Sequence, residues 1–490
     1  MKFSPLIFLY AACLCLCNLS VSAQNTNSPD LEYRMSWVLT YNEDINSTQS
    51  IRQVVNEARE YHLNALLPVA LRRGCAYYAS SFLPIYNPTD ADPPLDTLEE
   101  FTSFAHDISG GKPYIEIHPW VVLFPVWLEA GLPPPGHVVL THPEWLTRKK
   151  QPEELQPGEI PQKWLDPGVP GVCDYLVQVC KEIVASYNVD GLNLDYIRYY
   201  EGGHGYNPIA LDRFRRRTKR KDIPLPEDPE WQAWQREQIT NLVRRIYAET
   251  KMIRPGLKLS VCSIVWGDPE KPREKQDFYT RVLQDWPSWC QEGIVDINLP
   301  MNYRNEAEKS GKSEFRRWTV FCRKNSGDRL FVNGLGNYMN AISGSVEQVL
   351  FTRQSGGSGV CLFRYGVNNN EGKPPMELLK TLREKAFPNM ARIPKTPWIE
   401  KPDTGIIRGF VYRSDETRIV DGIKMALLGT GKEVFTDGSG YYALVHVAPG
   451  NYEIQASMDS EIINKRKVAV KPGEIVTFNL DLLGLVEHRL

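Results

Sequence analysis

The stretch Asp190–Tyr199, which reads DGLNLDYIRY, holds the side chains whose types and spacing best suit acid–base chemistry. Asn193 and Asp195 alternate with Leu192 and Leu194. Because successive side chains of a strand point to opposite faces, the two polar residues share one face and the two leucines share the other. A carboxylate on the inner face of a barrel can act as a nucleophile or a general base. The alternative is that Asp195 only ends a strand, but two inward polar residues are hard to explain by packing.

Two other acidic residues are candidates for a partner of Asp195. Glu116 alternates with Ile115 and Ile117 in an earlier predicted strand, and Asp268 follows a later one. A pair of carboxylates, one protonated and one ionised, is what hydrolysis of a glycosidic bond requires. The residues therefore favour glycoside hydrolysis over other hydrolytic chemistry.

Further polar and aromatic side chains lie on the inward faces or just beyond the ends of the same predicted strands. Such groups can hold sugar hydroxyls or stack on the apolar faces of sugar rings, although a single aromatic residue is more often part of a core. We predict substrate-binding roles for Asn193, His118, Trp120, Arg73, Tyr78, Arg198, Trp266, Asn302, Tyr303 and Arg364. No H-x-H, H-E-x-x-H or G-x-S-x-G sequence occurs, so we expect neither a metal ion nor a cofactor.

Eight strand-like stretches alternate with helix-like stretches and must position these residues. Eight such units favour a (β/α)8 TIM-type barrel, whose active sites lie at the C-terminal ends of the strands. The predicted strands are Arg34–Thr40, Ala65–Leu71, Pro113–Trp120, Asp190–Tyr196, Lys258–Val265, Val295–Met301, Leu330–Gly334 and Gly359–Tyr365.

The pattern changes near residue 388, where four prolines fall within 388–404 and indicate a linker. Short alternating stretches separated by turn sequences follow and predict a small all-β sandwich. We therefore divide the chain into a barrel domain over 30–387, a Pro-rich linker over 388–404 and a sandwich over 405–490.

Residues 1–23 read as a signal peptide, with Lys2 before an apolar run and Val21-Ser22-Ala23 as the cleavage site. We expect an exported protein, periplasmic or extracellular, whose mature chain has no transmembrane segment; a lipoprotein signal is the weaker alternative. The formal net charge of −2 argues against nucleic-acid binding. The basic run near Arg213–Lys221 is interpreted as a solvated helix face balanced by Glu227, Asp228 and Glu230.

Seven of the ten cysteines lie beyond the predicted signal peptide, at scattered positions and without a C-x-x-C pair. Cys173 and Cys180 would be two turns apart on one helix, about 10 Å by the helical rise, which is too far for a disulfide. We expect small buried hydrophobic residues and not a disulfide framework.

The residues 190–199 resemble the D-G-[LI]-H-[LF]-D-Y-[IF]-R-Y signature of the glycosyl-hydrolase-like family 10 proteins, which are exported bacterial (β/α)8 proteins. Further ordered matches lie between residues 33 and 385: EIHPW at 116–120, HPEWL at 142–146, WLDPG at 164–168, GYNP at 205–208, PMNY at 300–303 and GLG at 334–336. The strands beyond 405 resemble the carboxypeptidase-regulatory-like, transthyretin-type sandwich, a domain that is usually accessory.

The resemblance implies a glycan-active barrel. By a more distant similarity to the α-amylase clan, Asp195 corresponds to the nucleophile. This sequence departs from the family at Asn193, where histidine is usual, and it has no clear match to the clan's acid/base glutamate. The acid is therefore left open between Asp268 and Glu116. We expect an exported glycoside hydrolase acting on a polysaccharide or oligosaccharide, with a non-catalytic glycan-binding barrel of the cell envelope as the alternative.

Overall fold

The computed structural model describes most of the chain beyond the predicted signal peptide. The described residues are 29–40, 45–88, 94–128, 131–151, 162–367, 369–413, 418–459 and 461–482. The predicted signal peptide lies outside them, so export stays a prediction.

A closed barrel of eight parallel strands forms the first domain, which confirms the (β/α)8 prediction. Each strand pairs with the next along the chain, and the eighth pairs with the first. The strands are β1 (Tyr33–Val38), β2 (Ala65–Arg72), β3 (in two segments, Glu116–Ile117 and Trp120–Val122), β4 (Gly191–Asp195), β5 (Lys258–Ser263), β6 (Ile297–Pro300), β7 (Leu330–Leu335) and β8 (Gly359–Leu362).

Helices cover the outside of the barrel. They are α1 (Thr48–Glu60), α2 (Thr97–His106), α3 (Pro170–Ser186), α4 (Pro208–Thr218), α5 (Pro229–Ile253), α6 (Trp286–Glu292), α7 (Lys309–Asn325), α8 (Ile342–Gln354) and α9 (Met376–Lys385). The sequence predicts one helix over 277–292, but the structure has a short turn of helix, Asp277–Thr280, and then α6. Leu283 has a left-handed φ of 58°, which is incompatible with a continuous helix.

The alternation in β4 agrees with the predicted faces. Leu192 and Leu194 are fully buried in the layer between the barrel and its helices. Asn193 and Asp195 instead point into the barrel, where they contact side chains of other strands. The leucines therefore hold the strand against the helices and leave Asp195 at its C-terminal end.

The C-terminal residues form two sheets around one apolar core, one of them antiparallel and the other mixed. The main strands are β9 (Gly405–Arg413), β10 (Lys424–Leu427), β11 (Lys432–Phe435), β12 (Tyr441–Val447), β13 (Gly450–Met458), β14 (Glu461–Val470) and β15 (Ile475–Thr477), with short pieces Arg418–Ile419 and Leu480–Asp481. The predicted all-β region is thus present. Its resemblance to the carboxypeptidase-regulatory-like domain stays a prediction.

The sandwich lies against helix α5 of the barrel. Ala248 of α5 packs with Tyr441 and Ala443 of β12. Arg245 lies between Asp174 of α3, at 2.7 Å, and Asp437 of the sandwich, at 3.1 Å. Arg245 and Asp437 are each less than a tenth exposed. The contact between the two domains therefore excludes solvent at this ion pair.

The predicted linker is packed on the N-terminal side of the barrel. Its Trp398 donates a hydrogen bond to the carboxylate of Asp296 at 2.7 Å, and the Asn389 carbonyl accepts from Arg34 at 2.6 Å. These contacts fix the path between the two domains.

The seven cysteines in the described part of the chain are all buried and unpaired, which confirms their prediction as small core residues. Within the same residues, no helix has the length and apolar character needed to cross a membrane.

Candidate active site

Asp195 ends β4 inside the mouth of the barrel and is 4% exposed. Its carboxylate accepts a hydrogen bond from the indole N–H of Trp120 at 3.0 Å and one from the backbone N–H of Tyr196 at 2.7 Å. Tyr196 has a left-handed φ of 52°, which a non-glycine residue adopts at a cost of about 1–2 kcal/mol. Strain of this kind concentrates at functional sites.

Burial is the largest influence on the charge of Asp195 and raises the pKa of its carboxyl. The bonds from Trp120 and Tyr196 and the charge of Arg198 oppose this effect, because they favour the ionised form. A carboxyl whose pKa is raised by burial is suited to proton transfer at a working pH closer to neutral.

Four aromatic rings surround the space beside Asp195. Phe363, which follows β8, contacts Trp37 at 5.6 Å, Tyr303 at 5.2 Å and Trp120 at 6.3 Å between ring centroids. Trp120 and Tyr303 are among the predicted substrate-binding residues, whereas Trp37 and Phe363 are not. Trp37 is the last residue but one of β1 and Phe363 directly follows β8, so their aromatic type near strand ends was the signal available for finding them.

Asn193 lies one step below Asp195 and is fully buried. Its side-chain oxygen accepts from the indole of Trp37 at 3.1 Å, and its amide donates to Ser260 at 2.9 Å. The thiol of Cys262 is also within 3.3 Å of that oxygen. These contacts use the amide within the barrel, so Asn193 supports the site from beneath and is not open to a sugar hydroxyl.

Glu116 is not brought to Asp195. It pairs with Ala65 at the start of β2, whereas Val122, six residues further along β3, pairs with Asp195. Six extended residues span about 20 Å, far beyond the separation of about 5–10 Å between glycosidase carboxylates.

The surroundings of Glu116 also differ from those of an acid. Although burial opposes ionisation, hydrogen bonds and charges from His118 and Lys258 lower the pKa of Glu116 to about 2. His118 and Lys258 lie 2.9 Å and 2.5 Å from its oxygens, and Tyr33 donates to it at 2.8 Å. Glu116 and His118 therefore form an ion-pair cluster at the N-terminal end of the barrel.

Asp268 lies on the loop after β5, on the same side of the barrel as Asp195. Its side chain is 45% exposed and pairs with Arg317 of α7 at 2.8 Å. Of the two acid candidates, Asp268 alone is on the C-terminal side.

Two predicted sugar-binding residues face the helices instead of the mouth. Tyr78 donates to Glu182 of α3 at 2.8 Å, and Asn302 donates to the Phe315 carbonyl of α7 at 3.0 Å. The sequence pattern places Asn302 on one inward face with Asp296 and Asn298. This assignment is wrong, because Ile297 and Leu299 fill the barrel interior. The Tyr78 hydroxyl thus bonds a carboxylate of α3, and the Asn302 amide bonds the Phe315 carbonyl and the Thr319 hydroxyl of α7.

The remaining predicted residues lie on the C-terminal side. Arg73 follows β2, Arg364 follows β8, and Arg198 and Trp266 follow β4 and β5. Arg198 and Trp266 are in contact, with the guanidinium 5.3 Å from the ring centroid.

Asp166 is another buried carboxyl that follows β3, and burial raises its pKa to about 6. It accepts hydrogen bonds from the Thr147 hydroxyl at 3.0 Å and the Gly168 backbone at 2.9 Å. Its side chain has no exposed surface, so it holds the loops together and is closed to a substrate.

Comparison with known proteins agrees with this barrel and its loops. Residues 32–328 match the model of the family described as "Glycosyl hydrolase-like 10". Two curated relatives are "Glycosyl hydrolase YngK" of Bacillus subtilis (strain 168), 22% identical over 270 residues, and "Glycosyl hydrolase DigH" of Escherichia coli (strain K12), 24% identical over 176 residues. These alignments cover 52% and 34% of this chain. They cover 49% of YngK and 38% of DigH, so this chain matches at most about half of either relative.

Two solved structures share the fold. The PgaB (BpsB) glycoside hydrolase domain from Bordetella bronchiseptica has a TM-score of 0.54 at 12% identity, covering 74% of this chain and 99% of that domain. The catalytic domain of β-amylase from Paenibacillus polymyxa has a TM-score of 0.50 at 11% identity, covering 75% and 100%. Fold and comparisons together define a barrel of the glycoside-hydrolase type. The family match covers more than half of the sequence, and the chain belongs to the glycosyl hydrolase-like 10 family.

Proposed function

We propose that this protein hydrolyses O-glycosidic bonds in a polysaccharide or oligosaccharide, including a cell-wall glycan, with Asp195 as nucleophile or general base. The observation that carries the proposal is the buried carboxylate of Asp195 at the mouth, held by Trp120 and Tyr196 beside an aromatic wall. Two N–H donors fix the carboxylate in one orientation, as a catalytic group requires.

Asp268 is the proposed general acid. It is the candidate on the correct side of the barrel, and half of its side chain is open to solvent and to a bound glycan. To donate a proton it must exchange its bond to Arg317 for one to the leaving oxygen. Glu116 is not retained in this role because of its position and its ion pairs.

The test is reducing-end release from a panel of bacterial cell-wall glycans and plant and algal polysaccharides. We expect Asp195→Asn to lower kcat by at least about 10³-fold, in the range seen when a catalytic triad member is removed, with glycan binding retained. Asp190→Asn is the matched control, because Asp190 precedes the same strand and bonds Tyr114 and His106 at the opposite end of the barrel. Equal activity in wild type and Asp195→Asn would rule out Asp195 as nucleophile or general base. Asp268→Asn tests the role of Asp268 as general acid in the same assay.

A non-catalytic glycan-binding barrel is the second candidate function. It is favoured by one observation: in the described part of the chain, no other carboxylate makes a hydrogen bond or ion pair at Asp195. Binding in a pull-down with no release from any glycan, by wild type or variant, would select this function.

We further propose that the protein is exported through its N-terminal segment to the periplasm or beyond. The support is the sequence pattern of residues 1–23. Cell fractionation of the full chain against a variant lacking these residues is the check, and equal retention in the cytoplasm would contradict export.

A further inference from the structure

Arg198 occupies an unusual environment between the β4 loop and its neighbours. It is 7% exposed, and its guanidinium lies 4.9 Å from the ring centroid of Tyr196, 5.3 Å from that of Trp266 and 5.4 Å from that of Trp164. Three aromatic rings therefore surround one buried cation next to the proposed catalytic residue.

No carboxylate in the described residues lies within ion-pair distance of Arg198. Among the described residues its guanidinium makes one hydrogen bond, to the Tyr199 carbonyl at 3.3 Å. Asp195 and Glu201 affect its pKa only through longer-range charge, and burial lowers that pKa. Buried charged side chains are normally paired, because an uncompensated charge is costly to desolvate.

Two other arginines on the same rim have acidic partners. Arg281, whose guanidinium lies 5.4 Å from the ring centroid of Trp266, pairs with Glu201 at 2.5 Å. Arg304 pairs with Glu314 at 2.8 Å. Arg198 thus differs from these two neighbours, because no carboxylate pairs with it in the described part of the chain.

A second guanidinium adds to the positive charge at the site. Burial raises the pKa of the Tyr196 hydroxyl, and the charges of Arg198 and of Arg72, the last residue of β2, both oppose that effect. Two guanidinium groups therefore act on the residue next to Asp195. A charge that is shielded from bulk water attracts an anionic group more strongly than it would in water.

We propose that Arg198, assisted by Arg72, binds the carboxylate of an acidic sugar unit next to the bond that Asp195 attacks. The substrate class is therefore a carboxylate-bearing glycan, and this inference rests on the proposed function. A guanidinium presents parallel N–H groups that match a carboxylate in a two-point contact, and the three rings hold the fork in place. The negative charge of the sugar supplies the counter-charge that the site lacks.

The experiment compares binding of paired glycans to the Asp195→Asn protein, which should hold a glycan without cleaving it. The probes are polygalacturonate, alginate and hyaluronate oligosaccharides and a bacterial cell-wall glycan, each in native form and with its carboxylates reduced to alcohols. Affinity is measured by calorimetry for the native and the carboxyl-reduced form of each glycan. Both forms are measured with the same Asp195→Asn protein, so the missing charge of Asp195 affects both affinities and does not change their ratio. We expect at least one pair to bind about tenfold or more tighter in the native form, in keeping with a charged hydrogen bond.

Adding Arg198→Gln should bring that ratio close to one, whereas Arg198→Lys should keep part of it. Arg281→Gln is the matched control, because Arg281 contacts the same tryptophan but has its own acidic partners, and it should leave the ratio unchanged. If Arg198→Gln fails to fold, Arg72→Gln carries the same test with a smaller expected loss.

The outcomes separate this inference from the proposed function. Equal affinity for native and reduced glycans, equal loss of both on Arg198→Gln, or no binding of any probe overturns the inference. Cleavage of neutral glycans that is insensitive to Arg198→Gln overturns it while the hydrolase proposal stands. Arg198-dependent binding of acidic glycans without cleavage by the wild type supports the inference and rejects hydrolysis.

Discussion

At the scale of single residues, the hydrogen-bond partners available to each polar side chain determine whether it faces the site. The alternation in β4 predicted the inward face of Asp195, because the leucines beside it fit only the apolar helix layer. The same reasoning failed at β6, where Asn298 bonds Ser263 and Ser326, on the helix side. A polar residue in a strand can therefore face either the barrel interior or the surrounding helices, because the helices also supply hydrogen-bonding groups. Polarity alone does not predict which.

Tyr303 carries a buried hydroxyl with no hydrogen-bond partner among the described residues. We expect Tyr303→Phe to keep Tm or to raise it by about 1 °C, because it removes an unsatisfied polar group worth about 1 kcal/mol. Glycan turnover should fall at the same time if the hydroxyl bonds the substrate. Tyr78→Phe is the control, since the Tyr78 hydroxyl has a partner in Glu182 and its loss should lower Tm. A clear drop in Tm for Tyr303→Phe would mean that the hydroxyl has a structural partner.

The lowered pKa of Glu116 predicts how the stability of the fold depends on pH. Its folded pKa of about 2 is below the usual 4.5, so ionised Glu116 stabilises the fold above about pH 4.5 and loses this contribution as the pH falls toward about 2. Glu116→Gln should cost about 3 kcal/mol at pH 7, at about 1.4 kcal/mol per pH unit. The deficit should shrink below about pH 4 in denaturant unfolding curves.

The activity of folded Glu116→Gln should equal that of wild type, because the residue lies at the other end of the barrel. Loss of turnover in a fully folded sample would restore Glu116 as an acid candidate.

At the scale of elements, α5 is shared between the two domains. The apolar spacing predicts a helix over about 231–253, close to the observed bounds of α5. The basic run Arg213–Lys221, on α4 and the residues after it, is predicted as a solvated face. Arg220 fits that interpretation through its bonds to Asp222, Asp228 and Glu230. Arg213 does not, because it is buried and pairs with Asp421 of the sandwich at 2.7 Å. A contact between residues 208 positions apart leaves no pattern in a single sequence.

Arg245→Ala should destabilise the protein by about 3–5 kcal/mol, because it leaves the buried Asp437 without this partner. Burial already raises the pKa of Asp437, and Arg245 opposes that effect. The comparison is Arg216→Ala, which breaks an exposed pair with Asp212 on α4 and should cost less than about 1 kcal/mol. Chemical denaturation of both variants is the measurement, and equal small losses would show that the interface tolerates an unpaired Asp437.

At the scale of the whole molecule, the sequence predicted two domains but not how firmly they are joined. The Pro-rich pattern of 388–404 indicated a linker, whereas Trp398 and its neighbours are packed on the barrel. Proline content reports a lack of regular structure and says nothing about packing. The barrel and the sandwich are joined by the buried ion pairs of α5, which only the folded chain assembles.

Calorimetry of the full chain should therefore show one unfolding transition. A barrel ending at Lys401 should unfold at a lower temperature, because the apolar surface of Ala248 becomes exposed and Arg245 loses Asp437. Two separate transitions in the full chain, with the barrel transition unchanged after truncation, would contradict this expectation. Activity of the truncated barrel before it unfolds would show whether catalysis needs the sandwich.

The buried cysteines can report local opening of the folded protein. Only a thiolate reacts quickly with an alkylating reagent, and burial raises the pKa of Cys75 to about 11 and that of Cys173 to about 12. A reagent can then modify each sulfur only during the intervals when its surroundings come apart. Cys262 lies beneath the mouth, and Cys173 lies close to the interface charges of Asp437 and Arg213. Labelling rates of Cys262 and Cys173, followed by mass spectrometry, would therefore measure how often the mouth and the domain interface open. Both rates would come from the same wild-type protein.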